Sequence, residues 1–123
     1  MERKKVLLVD DSNTTLMLER LMLSHSPYEI VCAKDGLEAV EKAKTERPDL
    51  ILMDLVMPKM NGLEALRTIR DDASTRDIPI IMVTTRGEPQ NREAGFASGC
   101  NDYVTKPINA QELLAKVRDQ IAG

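Results

Sequence analysis

The feature that most restricts the fold of this chain is a regular alternation of short apolar runs with longer segments of helical periodicity. The runs are rich in Val, Ile and Leu, and they cover residues 5–9, 28–33, 50–53, 78–83 and 102–105. Each interval between them is long enough for a crossover helix, which favours parallel strands over hairpins. The pattern predicts an α/β fold: a doubly wound, five-stranded parallel sheet with helices on both faces. The order we expect, 2-1-3-4-5, is that of flavodoxin-like proteins.

Helix starts are marked by short polar residues. Asp35, Asn61 and Asn109 each stand three residues before a Glu, a spacing that resembles a capping box. Apolar residues recur at three- and four-residue steps and predict the faces that pack on the sheet. These predicted faces are Met17, Leu18, Leu21 and Met22 in a first helix (13–25), Leu37, Val40 and Ala43 in the second, Leu63, Leu66 and Ile69 in the third, and Leu113, Val117 and Ile121 in the last. A fourth helix, over 89–99, is short and weakly apolar.

Size and charge exclude several classes of protein. A chain of 123 residues predicts one domain over 1–123. A formal net charge of −3 disfavours nucleic-acid binding by this domain. The apolar runs are far shorter than the ~18 residues that span a bilayer, so we expect no membrane contact. With two cysteines and no metal-ligand spacing, a reducing cytoplasm is the expected compartment.

Reactive residues follow the predicted strands. Asp10 and Asp11 come after the first, Asp54 after the third, Thr84 at the end of the fourth and Lys106 after the fifth. Strands 1 and 3 are neighbours in the predicted order, so the three carboxylates share a pocket, where two charges 5 Å apart repel by about 3 kcal/mol at an effective dielectric of ~20. A divalent cation with all-oxygen ligands, Mg²⁺ or Mn²⁺, would relieve this conflict.

Such a site suits a phosphoryl group, because Mg²⁺ typically combines one or two carboxylates with phosphoryl oxygens. Asp54 is the candidate acceptor. A carboxylate is ionised at neutral pH and needs no general base to attack phosphorus. Thr84 would donate its hydroxyl to a phosphoryl oxygen, and Lys106 would compensate the remaining negative charge.

The order and spacing of these motifs resemble the response-regulator receiver domain of two-component signalling (CheY-like). The resemblance covers essentially the whole chain and rests on the runs VLLVDDS (6–12), DLVMPKMNG (54–62), Thr84 and DYVTKP (102–107). It implies that Asp54 takes a phosphoryl group from the phosphohistidine of a sensor histidine kinase or a phosphotransfer protein. The chain would then be a signalling module that catalyses only its own phosphotransfer and dephosphorylation, not an enzyme acting on other substrates.

The resemblance also assigns roles to individual residues. Asp11, Asp54 and the backbone carbonyl of Val56 would bind Mg²⁺, with Asp10 acting through a metal-bound water. Lys106 would contact the phosphoryl group, and the bond between Lys106 and Pro107 would be cis. Thr84 and Tyr103 would form a switch that alters the output surface, which consists of the fourth predicted helix, the fifth strand and the last helix.

Several alternatives remain open at the level of sequence. The chain is a stand-alone chemotaxis-like or relay regulator, or a receiver cut from a longer response regulator or hybrid kinase, and either a monomer or a weak phosphorylation-dependent dimer. A Mg²⁺-dependent phosphatase with an aspartyl nucleophile is a rival, although Val56 stands where that class carries a second Asp. A flavin or nucleotide module of the same fold is another, but strand 1 leads into two acids instead of a phosphate-binding loop.

Overall fold

The computed structural model of the chain describes residues 3–55, 57 and 60–83, the backbone of Thr84, and residues 96, 97 and 99–121. Within them the strands are β1 (Lys4–Val9), β2 (Tyr28–Ala33), β3 (Leu50–Asp54), β4 (Ile80–Thr84) and β5 (Asp102–Thr105), and the helices are α1 (Asn13–Met22), α2 (Gly36–Glu46), α3 (Gly62–Asp71) and α4 (Ala110–Ile121). The strands form one sheet of order β2-β1-β3-β4-β5 in which every neighbouring pair is parallel. The predicted fold is confirmed, and α4 is the last of the predicted helices.

Successive residues of each central strand point to opposite faces of the sheet, so the sheet separates two apolar clusters. Leu7, Val9, Ile51 and Met53 belong to a cluster completed by α2 and α3. Val6, Leu8, Leu50 and Leu52 belong to another completed by α1 and α4. All of β3 is buried, as expected for a parallel strand covered on both sides. Because β1 and β3 are adjacent and parallel, both strands end at the same edge of the sheet.

The polar residues predicted to start helices do so. The side chains of Asp35, Asn61 and Asn109 accept hydrogen bonds from the backbone N–H groups of the Glu three residues later, at 2.8, 2.9 and 3.0 Å. At α2 the Glu38 carboxylate in turn accepts from the backbone N–H of Lys34 at 2.7 Å. These bonds satisfy amides that the first helical turn leaves without partners.

The predicted inner face of α1 was wrong except at Met22, which is partly buried and packs against the cluster that contains Leu16. Met17 and Leu21 are 62% and 60% exposed, whereas Leu16, Glu19 and Leu23 are buried. The three residues that do face inward recur at three- and four-residue steps, as expected for one face of a helix. Because one of them is a carboxylate, the hydrophobic pattern indicated the adjacent face instead. Leu18, also assigned to the inner face, is exposed as well.

The second helix shows the same effect on a smaller scale. Leu37 is exposed, and the buried contacts of α2 come from Gly36, Ala39 and Ala43. The small residues allow the helix to lie close to its neighbours: a Cβ at position 36 would collide with the backbone carbonyl of Met60. The faces predicted for the third and last helices are confirmed in their buried residues Leu66, Ile69, Leu113, Val117 and Ile121.

Several element boundaries differ from prediction, by one residue at the start of β1 and at the ends of β3 and β4, and by more at two others. α1 ends at Met22, not at 25, and β4 begins at Ile80, two residues later than expected. The fourth predicted helix lies outside the described residues, apart from Phe96, Ala97 and Gly99. In the described part of the chain, no helix combines the length and the apolar character required to span a membrane.

Candidate functional site

Three carboxylates meet at the edge of the sheet where the strands end. Val9 of β1 is paired with Met53 of β3, so the residues that follow them, Asp10 and Asp54, emerge side by side. Asp11 joins them, and one carboxylate oxygen from each of the three lies within 4.8 Å of the others. Asp10 and Asp54 are 1% and 5% exposed, while Asp11 faces solvent. The structure thus brings together the acidic residues that strand adjacency predicted.

Lys106 reaches this group from the residue after β5. Its ammonium lies 3.1 Å from Oδ2 of Asp10 and 3.6 Å from Oδ2 of Asp54. The peptide bond between Lys106 and Pro107 is cis, as the resemblance implied. Burial lowers the pKa of Lys106, but the charge of Asp54 and the hydrogen bond to Asp10 outweigh burial, so the pKa lies above its ordinary value. The ammonium is therefore a permanent positive charge at neutral pH.

Backbone contacts hold the acidic residues in place. The Ser12 N–H donates to Oδ1 of Asp10 at 2.9 Å, while Oδ2 of the same carboxylate accepts from Lys106. The Leu55 N–H donates to the carbonyl of Val83 at 3.1 Å, which fixes the end of β3 against β4. The Asp10 carboxylate thus has partners on both oxygens, and the main chain beside Asp54 is anchored to the sheet.

Gly62 fixes the approach of α3 to the site. Its N–H donates to the carbonyl of Leu55 at 2.9 Å. A Cβ at this position would overlap the backbone carbonyl oxygen of Asp54. Only glycine allows the first turn of α3 to lie this close to the end of β3. Gly62 ends the run 54–62 on which the resemblance rests, but no separate role was predicted for it.

The charges of the site do not balance by themselves. Three carboxylates and one ammonium carry a net charge of −2 when ionised as such groups ordinarily are at neutral pH. At an effective dielectric of ~20, a pair of like charges separated by about 5 Å costs about 3 kcal/mol. A divalent cation would neutralise the remaining charge, and carboxylate oxygens are the donors that Mg²⁺ prefers. The residues present therefore fit a hard divalent ion in both donor type and charge.

A fourth acid lies beneath the site and was missed by the sequence analysis. Glu19 of α1 is 1% exposed, and its Oε1 atom has no hydrogen-bond partner among the described residues. Burial, together with repulsion from Asp10 and Asp54, raises its pKa to about 8, although Lys106 acts in the opposite direction. Its position between Leu16 and Leu23, at helical spacing on the inner stripe, was the available signal.

The remaining predicted residues lie at the rim or outside the described part of the chain. Thr84 ends β4 opposite Thr105, but its side chain is not among the described atoms, and Val56 is not among the described residues. Tyr103 is half-buried; its ring packs edge-to-face on Phe96, with ring centres 6.0 Å apart. The Lys116 ammonium lies 5.0 Å from the centre of the same ring and donates to the Tyr103 carbonyl at 2.6 Å.

Comparisons with known proteins all indicate the same family. The family model of the response regulator receiver domain matches residues 6–118 of this chain. Protein PilH of Pseudomonas aeruginosa is 38% identical over 119 residues, which cover 97% of this chain and 98% of PilH. The regulator PhoP of Bacillus subtilis, named for alkaline phosphatase synthesis, is 38% identical over 115 residues, but there the chain spans only 47% of the relative's length.

Solved structures agree with these relatives. The receiver domain of the sensor histidine kinase PA1611 from Pseudomonas aeruginosa superposes with a TM-score of 0.91 at 33% identity, covering 99% of this chain and all of that one. That crystal structure contains a magnesium ion coordinated in the active-site cleft.

Proposed function

The chain belongs to the response-regulator receiver family, and we propose that it accepts a phosphoryl group on the Asp54 carboxylate from the phosphohistidine of a sensor kinase or a phosphotransfer protein. A receiver domain is a signalling module, so the product of the reaction is the modified chain itself. The single observation that carries the proposal is the meeting of Asp10, Asp11 and Asp54 within 4.8 Å beside the Lys106 ammonium.

In the proposed transfer, a carboxylate oxygen of Asp54 attacks phosphorus and a new O–P bond forms. The P–N bond to the donor imidazole breaks, and the imidazole keeps the electron pair and takes up a proton. Asp54 needs no general base, because a carboxylate attacks phosphorus without losing a proton, and the Lys106 ammonium lies 3.6 Å away. Lys106 then pairs with the phosphoryl oxygens, and the hydroxyl of Thr84 donates to another of them.

We propose that Mg²⁺ is held by Asp11, Asp54 and the carbonyl of Val56, with Asp10 nearby, and that Mn²⁺ can substitute. When bound, the ion neutralises negative charge and orients the incoming phosphoryl group. The net charge of −2 on the three carboxylates and Lys106, and their all-oxygen donor set, support this proposal. The magnesium-containing cleft of the PA1611 receiver domain supports it independently.

The output surface that we propose is the β5 edge of the sheet, which consists of β5, α4 and the fourth predicted helix, and its switch is formed by Thr84 and Tyr103. The phosphoryl group adds negative charge and three acceptor oxygens, which bias Thr84 and Tyr103 toward a different arrangement. Lys116, which contacts both the ring and the carbonyl of Tyr103, links this residue to α4. An output protein would therefore distinguish the two states by contact with β5, α4 and the segment before β5.

We further propose that residues 1–123 act as one receiver domain in the manner of a stand-alone regulator. The support is the match over 98% of the length of PilH. Relatives such as PhoP, of which the chain spans 47%, represent the alternative of a receiver joined to further domains. The proposed partners are a kinase or phosphotransfer protein that donates from a phosphohistidine, and an output protein that binds the β5 edge.

The test is to incubate the protein with Mg²⁺ and acetyl phosphate, which transfers its phosphoryl group and leaves acetate. We expect one phosphoryl group per chain by intact-protein mass, stable in acid and labile in base, as for an acyl phosphate. Omission of the divalent ion should abolish labelling.

The matched variants are Asp54→Asn and, as a control at an exposed acid of α4, Asp119→Asn. The first should remove labelling and the second should leave it unchanged. Labelling that persists in Asp54→Asn would refute the assignment of the acceptor. Steady turnover of phosphate esters by the wild type would instead favour the phosphatase alternative.

A further inference from the structure

Glu19 of α1 is a buried acid that the proposed phosphoryl transfer does not use. It is 1% exposed, as little as Leu23 on the same inner stripe, and its Oε1 atom has no hydrogen-bond partner among the described residues. A buried polar atom without a partner costs free energy, and an apolar side chain at this position would avoid the cost. The retention of a carboxyl group here therefore calls for an explanation other than packing.

The alternation of side chains along the strands places the acidic site on the face of the sheet that α1 and α4 cover. Asp10, Asp54 and Lys106 each follow, two residues later, a strand residue of the apolar cluster on this face. These strand residues are Leu8, Leu52 and Val104. Because residues two apart on a strand share a face, the two carboxylates and the ammonium continue the rows of this cluster at its end.

The direction of α1 brings the Glu19 carboxyl group toward the same end of the cluster. α1 begins three residues after Asp10, and side chains of a helix lean toward its N-terminus. Burial is the main cause of the raised pKa of Glu19, and the charged groups that also act on this pKa are Asp10, Lys106 and Asp54. Glu19 in turn raises the pKa of Lys106, after the larger effects of burial and of the two Asp residues. Glu19 thus lies next to the site in the interior.

Glu19 is not one of the direct ligands that the site offers to an ion. The carboxylates whose oxygens lie within 4.8 Å of one another are those of Asp10, Asp11 and Asp54. A group behind the ligands acts on a metal through a hydrogen bond to a ligand, to a neighbouring side chain or to one of the waters that Mg²⁺ keeps. Loss of such a group typically weakens metal binding by roughly 10- to 100-fold.

The protonation of Glu19 suits this role. With a pKa of about 8, the carboxyl group is uncharged at neutral pH, and it offers one O–H donor and acceptor oxygens. It therefore adds no negative charge to the three carboxylates and Lys106. The amide of Gln also combines a donor and an acceptor without charge, whereas Leu is uncharged but has neither.

We propose that Glu19 is a positioning residue of the divalent-ion site, whose buried oxygen accepts a hydrogen bond when the ion binds and so favours the bound state. The donor is either the Lys106 ammonium, which the arriving cation repels from Asp10 and Asp54, or a water that the ion carries. This inference rests on the proposed Mg²⁺ site and adds to it a residue that is not a ligand.

The test is isothermal titration calorimetry of the whole chain with Mg²⁺. Glu19→Gln should keep the Mg²⁺ affinity within about twofold, because the amide oxygen replaces the acceptor, and Glu19→Leu should weaken it about tenfold. Unfolding does not explain such a loss, because Leu at this buried position should raise the midpoint of urea unfolding in metal-free buffer. Glu19→Met repeats the measurement with an unbranched side chain if Leu does not pack.

Two control variants separate this role from packing and from a general loss of acidic residues. Leu23→Met changes the same inner stripe one turn further from the site, and Glu41→Leu removes an exposed acid of α2. Both should leave the Mg²⁺ affinity unchanged. The Glu19→Leu change in a Lys106→Met background identifies the donor: the tenfold effect should vanish if Lys106 donates and persist if a water does. Either result agrees with the proposal.

Three outcomes would overturn the inference while leaving the proposed Mg²⁺ site intact. They are equal affinity of Glu19→Leu and the wild type, an equal loss in Glu19→Gln and Glu19→Leu, and a loss in Leu23→Met as large as in Glu19→Leu. The second would show that charge is responsible and not a hydrogen bond, and the third that packing is. A wild-type chain that takes up no divalent ion would overturn the proposed site and this inference together.

Discussion

Replacement of Glu19 by Gln should stabilise the protein, and the gain should depend on pH. Glu19 lies on the inner face of α1, and burial, with repulsion from Asp10 and Asp54, raises its pKa from the ordinary 4.5 to about 8. The carboxyl group is therefore protonated in the folded chain at neutral pH but ionised in the unfolded chain. Folding must take up a proton, and this uptake costs free energy. The amide of Gln has nearly the same shape and is neutral at every pH.

The magnitude follows from the two pKa values. Between pH 4.5 and about 8 the folded chain binds one proton more than the unfolded chain, so stability falls as pH rises, by about 1.4 kcal/mol per pH unit. The loss of unfolding free energy caused by Glu19 is absent below this pH window. It is about 1 kcal/mol at pH 5 and about 3 kcal/mol at pH 7, and it stays constant at about 5 kcal/mol above pH 8. Glu19→Gln should therefore gain about 2 kcal/mol more at pH 7 than at pH 5.

The assay is urea unfolding in metal-free buffer at several pH values, followed by circular dichroism. Glu41→Gln, at an exposed position of α2, is the control and should change stability little at any pH. The slope of unfolding free energy against urea should stay unchanged, because the surface exposed on unfolding is the same. A gain for Glu19→Gln that does not vary between pH 5 and pH 7, or no gain at all, would refute the argument that a buried proton causes it.

Two further substitutions test the site and the fold. Lys106→Ala should fold but no longer transmit modification from Asp54, so the amide shifts of Tyr103 on addition of beryllofluoride should disappear; shifts as large as in the wild type would contradict its role. Arg70→Ala removes a guanidinium that donates to the carbonyls of Gly99 (2.9 Å) and two other residues and to Asn101 (3.0 Å). It should lower stability by about 2–3 kcal/mol in urea unfolding, and a loss no greater than that of the exposed control Arg118→Ala would contradict this.

The strands and the helix starts could be predicted because local chemistry determines them, whereas the strand order came in part from the resemblance to the receiver family. The apolar run of β3 has no polar alternation and therefore predicts a strand buried on both faces. A capping Asn or Asp followed three residues later by Glu indicates a helix start. The convergence of Asp10 and Asp54 was predictable for a related reason: neighbouring parallel strands end at the same edge of the sheet. These features need no knowledge of side-chain packing.

The inner face of α1 could not be predicted in this way. A hydrophobic pattern assigns Met17 and Leu21 to the core and Glu19 to solvent, because a buried unpaired carboxylate normally costs more than an exposed methionine. The structure has the reverse arrangement. Two facts explain the reversal: Glu19 avoids most of the cost by keeping its proton, and the displaced apolar residues line a groove beside β2. Neither fact is visible before the fold is known.

Glu19 also affects the net charge of the proposed phosphoryl site. If this carboxyl group were ionised, the site would hold four carboxylates against the single ammonium of Lys106, and its net charge would be −3. With the proton retained, the charge remains −2, which a divalent ion neutralises. An apolar residue at position 19 would give the same charge without the cost in stability. The fold therefore keeps a destabilising group at a buried position that an apolar side chain could occupy, and such departures concentrate at functional sites.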